Sequence, residues 1–252
     1  MPDATINGFK HHWEDLGSGE ALVMFHGAAG AGSSLLAHAQ EMSKDFRVLV
    51  PDMRGLGQSA RQNPIPADAW VEDLVGLLDH LGIDKAHVYG TSLGSRVALK
   101  FGIAHPERTA SVILENAILA FEAEGSNVMN QRLSNPDAMD DEQKARFQGL
   151  HGDDWKEAVL SYVVWRNDPS VHAYYDMRED AKSLSVPLFI TRGDAREPVH
   201  PITHSFELFN TVAGSRLWIK PEGGCFATPE GYDRVRKFVA ETKGAPAAAA
   251  AH

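Results

Sequence analysis

Six short apolar runs alternate with helix-patterned stretches along this chain, and that alternation constrains its fold more than any other feature. The runs are residues 21–25 (ALVMF), 46–50 (FRVLV), 86–89 (AHVY), 111–114 (SVIL), 187–191 (PLFIT) and 216–219 (RLWI), each bounded by glycine, proline or aspartate. Runs without polar alternation are those of strands covered on both faces, so the chain is expected to form an α/β fold, a mostly parallel sheet with helices on either side. Between the runs, Trp70, Leu74, Leu77, Leu78 and Leu81 recur at helical spacing and stop at Gly82, and Tyr232, Val235, Phe238 and Val239 mark a last helix.

One stretch breaks the alternation. Residues 121–180 contain no convincing strand, and their later half, WKEAVLSYVVWRNDPSVHAYYDM, places Trp155, Val159, Tyr162, Val163 and Trp165 mostly at helical spacing. The expected organisation is therefore a core of residues 1–120 and 181–244, a helical insertion at 121–180, and a disordered alanine-rich tail at 245–252. The formal net charge of -10 leaves no basic face, with lysine and arginine scattered singly, which argues against nucleic acid or an anionic membrane surface as partner. A single cysteine excludes an internal disulfide, and the N-terminal residues show no signal peptide or spanning segment, so a cytoplasmic location is expected.

The chemistry is carried by Gly90-Thr91-Ser92-Leu93-Gly94, placed directly between a strand and a helical stretch. That is the context of a nucleophile elbow: the turn forces the serine into a strained conformation, and the flanking glycines leave room for the neighbouring helix and strand. The amide of Leu93, at the start of the helix, is then available to an oxyanion. His26-Gly27-Ala28-Ala29-Gly30 follows the 21–25 run, and its small residues let the backbone approach a ligand, with the Ala28 amide as a second oxyanion donor. Asp52-Met53-Arg54-Gly55-Leu56-Gly57-Gln58-Ser59 follows the 46–50 run.

These three motifs, in this order and spacing, resemble those of the α/β-hydrolase superfamily across nearly the whole chain. The resemblance implies Ser92 as nucleophile, the Ala28 and Leu93 amides as oxyanion hole, a first hairpin around residues 13–19, and a cap formed by residues 121–180. It makes Asp52 and Arg54 structural, expected to pair with each other across the turn. Trp155, Tyr162 and Trp165 are then candidate substrate-binding residues, by side-chain type alone.

The same family places its triad acid after the strand that follows the cap and its histidine after the last strand. The acid loop reads Arg192-Gly193-Asp194-Ala195-Arg196-Glu197-Pro198-Val199-His200-Pro201, in which Glu197 fits the family spacing to Pro201 with one residue inserted; Asp194 is the alternative. In the last loop, Gly224-Cys225-Phe226 stands where the family has glycine, histidine, phenylalanine, so Cys225 occupies the position of the general base. An imidazole accepts the serine proton on one nitrogen while the other donates to the acid. A thiol cannot do both, and its pKa is about 8.5 when unperturbed. Losing the histidine from a serine-protease triad costs about a million-fold in turnover, which predicts a nearly inactive protein. His200 and His204 are the nearest substitutes in sequence and are set aside; their i, i+4 spacing lacks the glutamate and third ligand of a metal site. No cofactor and no metal are expected.

Two readings follow. The first is a serine hydrolase of small carboxylic esters or lactones whose base is replaced, naturally or by engineering. The second is a non-catalytic binding or receptor-like protein on the same fold. The elbow, oxyanion turns and acid loop, each complete in the sequence, favour the first. A dinucleotide fold, suggested by Gly55-Leu56-Gly57-Gln58-Ser59-Ala60, fails because Arg61-Gln62-Asn63-Pro64-Ile65-Pro66 forms a loop where a helix must begin.

Overall fold

The computed structural model describes residues 2–221 and 228–242. Among these, eight strands form one sheet: β1 (Asp3–Ile6), β2 (Phe9–Gly17), β3 (Ala21–Phe25), β4 (Arg47–Pro51), β5 (Ala86–Thr91), β6 (Thr109–Glu115), β7 (Leu188–Gly193) and β8 (Arg216–Lys220). Their order is β1-β2-β4-β3-β5-β6-β7-β8. The first two strands pair antiparallel, as do β2 and β4, and every other neighbouring pair is parallel. The six apolar runs all coincide with or overlap strands, with ends shifted by at most two residues.

The helices are α1 (Leu36–Met42), α2 (Ala69–His80), α3 (Leu93–Ala104), α4 (Ala123–Leu133), α5 (Asp141–His151), α6 (Trp155–Arg166), α7 (Pro169–Tyr174), α8 (Ile202–Thr211) and α9 (Pro229–Thr242). Successive residues of a strand face opposite ways, and β3 shows what that does to a covered sheet. Leu22 and Met24 pack with Met42 of α1 and Val235 and Phe238 of α9, whereas Val23 and Phe25 join the larger cluster with Leu74 and Leu78 of α2 and Val97 and Phe101 of α3. All five β3 residues are buried, which is why the run reads as continuously apolar.

Two local expectations are corrected. The first hairpin turns at Asn7-Gly8, not around residues 13–19; φ values of 52° and 82° at these two residues are those of a two-residue turn that asparagine and glycine adopt readily. Residues 13–17 instead form the part of β2 that pairs with β4. Asp52 and Arg54 are both structural, but they do not pair with each other. The Asp52 carboxylate accepts from the backbone amides of Gly32 (2.6 Å) and Gln58 (2.7 Å). Arg54 turns away to Asp73 of α2, its Nε donating to Asp73 Oδ2 at 2.9 Å in a buried ion pair. Asp52 is satisfied by these two backbone amides, and burial of both Arg54 and Asp73 demands that each charge be matched.

Helices α4 to α7 lie between β6 and β7. Trp165 of α6 is buried on their inner side, its ring 4.2 Å from that of Trp70 on α2 and 5.5 Å from that of Tyr175. Gly125 lets α4 approach the loop after β7 closely, since a Cβ there would fall 2.5 Å from the Pro198 carbonyl oxygen. Among the described residues, no helix is long and apolar enough to cross a membrane.

Candidate active site

Ser92 sits between the end of β5 and the first residue of α3 with φ 55° and ψ -117°, a left-handed conformation that a serine holds only at a cost of about 1–3 kcal/mol. The two glycines of the motif are required by what surrounds them. A Cβ at Gly90 would lie 2.0 Å from the Gly94 carbonyl oxygen, and one at Gly94 would lie 2.3 Å from that of Phe25. The chain thus folds back on itself tightly enough to present the serine side chain above the sheet's C-terminal edge.

The turn after β3 adjoins the serine: a Cβ at Gly27 would be 3.6 Å from that of Ser92. His26 is fully buried and holds this turn, Nδ1 meeting the Gly27 carbonyl at 2.9 Å while Nε2 accepts from the Met53 amide at 3.3 Å. The Ala29 carbonyl of the same turn is held from the insertion. His151, the last residue of α5, has Nε2 3.0 Å from the Ala29 oxygen, and its Nδ1 accepts from the Gly57 amide at 2.9 Å. Burial pulls the His151 imidazole down to about 4, so it is neutral with its proton on Nε2. Ala28 and Leu93 both line the cavity that contains Ser92, and the Leu93 amide, at the first position of α3, has no carbonyl one turn earlier within that helix.

The imidazole beside Ser92 is that of His200. Its Nε2 lies 2.7 Å from Ser92 Oγ, and its Nδ1 is hydrogen-bonded to Glu197 Oε1. The other Glu197 oxygen accepts from the Val199 amide at 2.9 Å, which fixes the carboxylate within its own loop. Burial holds the His200 imidazole below its usual range; Glu197 pulls the other way, and the cations Arg192 and Arg96 add to the lowering. At neutral pH the ring is therefore neutral, with Nδ1–H donating to the carboxylate and Nε2 free to accept from the serine hydroxyl.

Arg192, buried at the end of β7, shapes this loop. Its guanidinium donates to the carbonyls of Gly193 (2.7 Å), Ala195 (3.0 Å) and His200 (3.3 Å). Asp194 is exposed, just beyond the strand, and the carboxylate bonded to His200 is that of Glu197. Cys225 lies outside the described residues. His204 is buried one helical turn beyond His200, its Nδ1 accepting from the Leu119 amide and its Nε2 3.4 Å from Glu122, so the two histidines do not converge. No group of three potential metal ligands occurs among the described residues.

Of the three aromatic residues singled out in the insertion, Tyr162 lines the Ser92 cavity. Trp155 and Trp165 do not; Trp155 stacks with Phe147, and Trp165 fills the space over Trp70. Four helices laid across an apolar surface need large side chains to seal the junction, and that demand takes Trp165, while Trp155 packs α6 against α5 within the insertion. Sequence reasoning missed Arg96, Arg166 and Met129 as cavity residues. Arg96 had a findable signal: it stands four positions after Ser92, hence on the same side of α3.

Residues 20–187 match the α/β hydrolase fold family, and the chain belongs to it. A putative carbamate hydrolase, RutD, of a Caulobacter species is 24% identical over 89% of this chain and 91% of its own length. A 2-hydroxymuconate semialdehyde hydrolase of a Pseudomonas species is 39% identical over 42% of this chain, a match that spans only 40% of that relative's length. Among solved structures, a meta-cleavage product hydrolase from Pseudomonas fluorescens superposes with a TM-score of 0.77 at 23% identity, covering 96% of this chain and 97% of its own. An enol-lactonase from Burkholderia xenovorans does so with a TM-score of 0.75 at 22% identity, covering 96% and 99%.

Proposed function

We propose that this member of the α/β hydrolase fold family is a serine hydrolase of small carboxylic esters or lactones, working through an acyl-enzyme on Ser92 with His200 as general base and Glu197 as its acid. The observation that carries the reading is the 2.7 Å contact between His200 Nε2 and Ser92 Oγ, relayed through Nδ1 to Glu197. The base function assigned by position to Cys225 passes to an imidazole three residues after the acid. As Ser92 Oγ attacks the substrate carbonyl, Nε2 takes its proton and Glu197 stabilises the imidazolium. The amides of Ala28 and Leu93 receive the developing oxyanion. Collapse breaks the bond to the leaving oxygen, which takes the proton from Nε2. A water then enters, gives a proton to the same nitrogen and attacks the acyl-enzyme, releasing the acid and regenerating Ser92. The helices inserted between β6 and β7 act as the cap over this cavity.

The test is hydrolysis of 4-nitrophenyl acetate and γ-butyrolactone, together with mass-spectrometric labelling of Ser92 by a fluorophosphonate. Ser92→Ala and His200→Ala are each expected to lower kcat by about 10⁴-fold or more and to abolish labelling, whereas Cys225→Ala should stay within about threefold of the parent. If Cys225→Ala matches the loss in His200→Ala, the base assignment moves to the last loop. If the folded parent shows neither Ser92-dependent turnover nor labelling, the binding-protein reading replaces this one.

A further inference from the structure

The cavity that holds Ser92 also holds two buried guanidinium groups that the proposed mechanism does not use. Arg96 comes from α3, four residues after the serine, and Arg166 is the last residue of α6; they are 5% and 3% exposed. Arg96 Nη2 donates to the Ala120 carbonyl at 3.0 Å and the guanidinium lies 3.5 Å above the Phe121 ring, but Nη1 is buried with no hydrogen-bond partner. Arg166 Nη1 donates to the Ser126 carbonyl and to Asn130 Oδ1, and its Nε is likewise buried and unpartnered. Among the described residues, no carboxylate lies within ion-pair distance of either; Glu122, which also lines the cavity, is 3.4 Å from His204 instead.

Two buried cations with no carboxylate in ion-pair contact among the described residues are a costly arrangement; burial pulls Arg96 down to about 9, with repulsion from Arg166 adding to the lowering and Tyr162, Tyr175 and the more distant Glu122 opposing it. The cost is removed when an anion enters. The N-terminal end of α3, which opens onto the same cavity at Leu93, adds to the positive field. Planar guanidinium groups with unused N–H donors suit a carboxylate.

We infer that Arg96 and Arg166 form a carboxylate subsite, so that the preferred substrates are short esters or lactones that carry a free acid at the end of the acyl chain. Four residues of helix separate Ser92 from Arg96, a rise of about 6 Å, which matches an acyl chain of about four or five carbons. The inference rests on the serine-hydrolase reading for the word substrate, but the subsite itself binds an anion whether or not turnover follows.

The experiment compares monoethyl succinate with ethyl pentanoate, which has the same chain length and no charge, by titrating the acid released at constant pH. In parallel, calorimetry measures monomethyl succinate binding to the Ser92→Ala protein. The expected result is a kcat/KM ratio of about tenfold or more in favour of the charged ester, falling towards unity in Arg166→Gln and in Arg96→Gln, with monomethyl succinate binding weakened by a similar factor. Arg166 carries the test should Arg96→Gln fail to fold. A ratio near or below unity in the parent, or one that both substitutions leave unchanged, overturns the subsite while leaving the hydrolase reading intact. Arg166-dependent binding of monomethyl succinate in a protein that hydrolyses no ester supports the subsite and defeats the hydrolase reading.

Discussion

The elbow that carries Ser92 and the loop that carries Glu197 and His200 reach the same point in space by opposite means. The elbow is held by exclusion: Gly90 and Gly94 leave no room for a side chain, and Leu93, Val97 and Phe25 around them are buried. The loop is held by polar contacts, from Arg192 to three carbonyls and from Glu197 to the Val199 amide, and its own side chains are partly exposed. Steric exclusion fixes position at the expense of any tolerance for substitution. Polar contacts fix it more cheaply, and leave the chemistry separable from stability.

The hardest way to break that contrast is Gly94→Ala. With its Cβ 2.3 Å from the Phe25 oxygen, the substitution is expected to lower stability by about 3 kcal/mol or more, or to prevent folding, and denaturant unfolding would show it. A Gly94→Ala protein as stable as the parent would mean that the elbow is held in some other way.

Substitution in the loop should act on rate alone. Glu197→Gln is expected to lower kcat/KM by about 100- to 1000-fold, through loss of the charge that stabilises the imidazolium, with a melting temperature close to the parent's. A large fall in stability instead would make the carboxylate a structural strut.

His151 sharpens the comparison, because it holds the Ala29 carbonyl in the turn after β3 through a hydrogen bond from the insertion. Its folded-state pKa of about 4 lies below that of an unfolded histidine, so the unfolded chain binds the proton first as pH falls. Stability is fully present above about pH 6.5 and is lost progressively down to about pH 4, by roughly 3 kcal/mol at the bottom of that range. In His151→Gln the loss over the same range should shrink by a comparable amount in thermal or chemical unfolding; parallel curves for the two proteins would remove His151 from this role.

The smallest effect is on the pH profile. His200 is held below its usual range by burial, so the acid limb of kcat/KM should lie below the usual histidine value, with activity rising as pH increases through it and level by neutrality. Glu197 opposes that lowering, so in Glu197→Gln the limb moves further down in pH. An upward move would show that the carboxylate is not the group facing Nδ1.

The sequence made the sheet, the elbow and the turn after β3 legible because each is written in local terms: an apolar run, a glycine forced by a close approach, a strand meeting a helix. The strand limits moved only slightly between expectation and structure. His200 was not legible in the same way. Its partners are Glu197, three residues back, and Ser92, more than a hundred residues away, and whether a loop of that length curls towards the serine depends on Arg192 gathering its carbonyls. A template that reserves the base for the last loop directs attention to Cys225, which lies outside the described residues, and away from the histidine three residues after Glu197. Trp155 and Trp165 were misplaced for a related reason: residue type says that an aromatic ring must cover apolar area, not which area.

Glu197 and His200 lie within a single run of four residues, Glu197-Pro198-Val199-His200, and touch each other inside it. In the proposed triad, acid and base are therefore one inheritable cassette: a shift of the loop carries both together, and one insertion or deletion there gains or loses the pair at a stroke. In a triad drawn from two separate loops, each must keep its register against the other through evolution. In the proposed triad only the register between this segment and Ser92 has to be maintained, and the chemistry asks nothing of the stretch after β8.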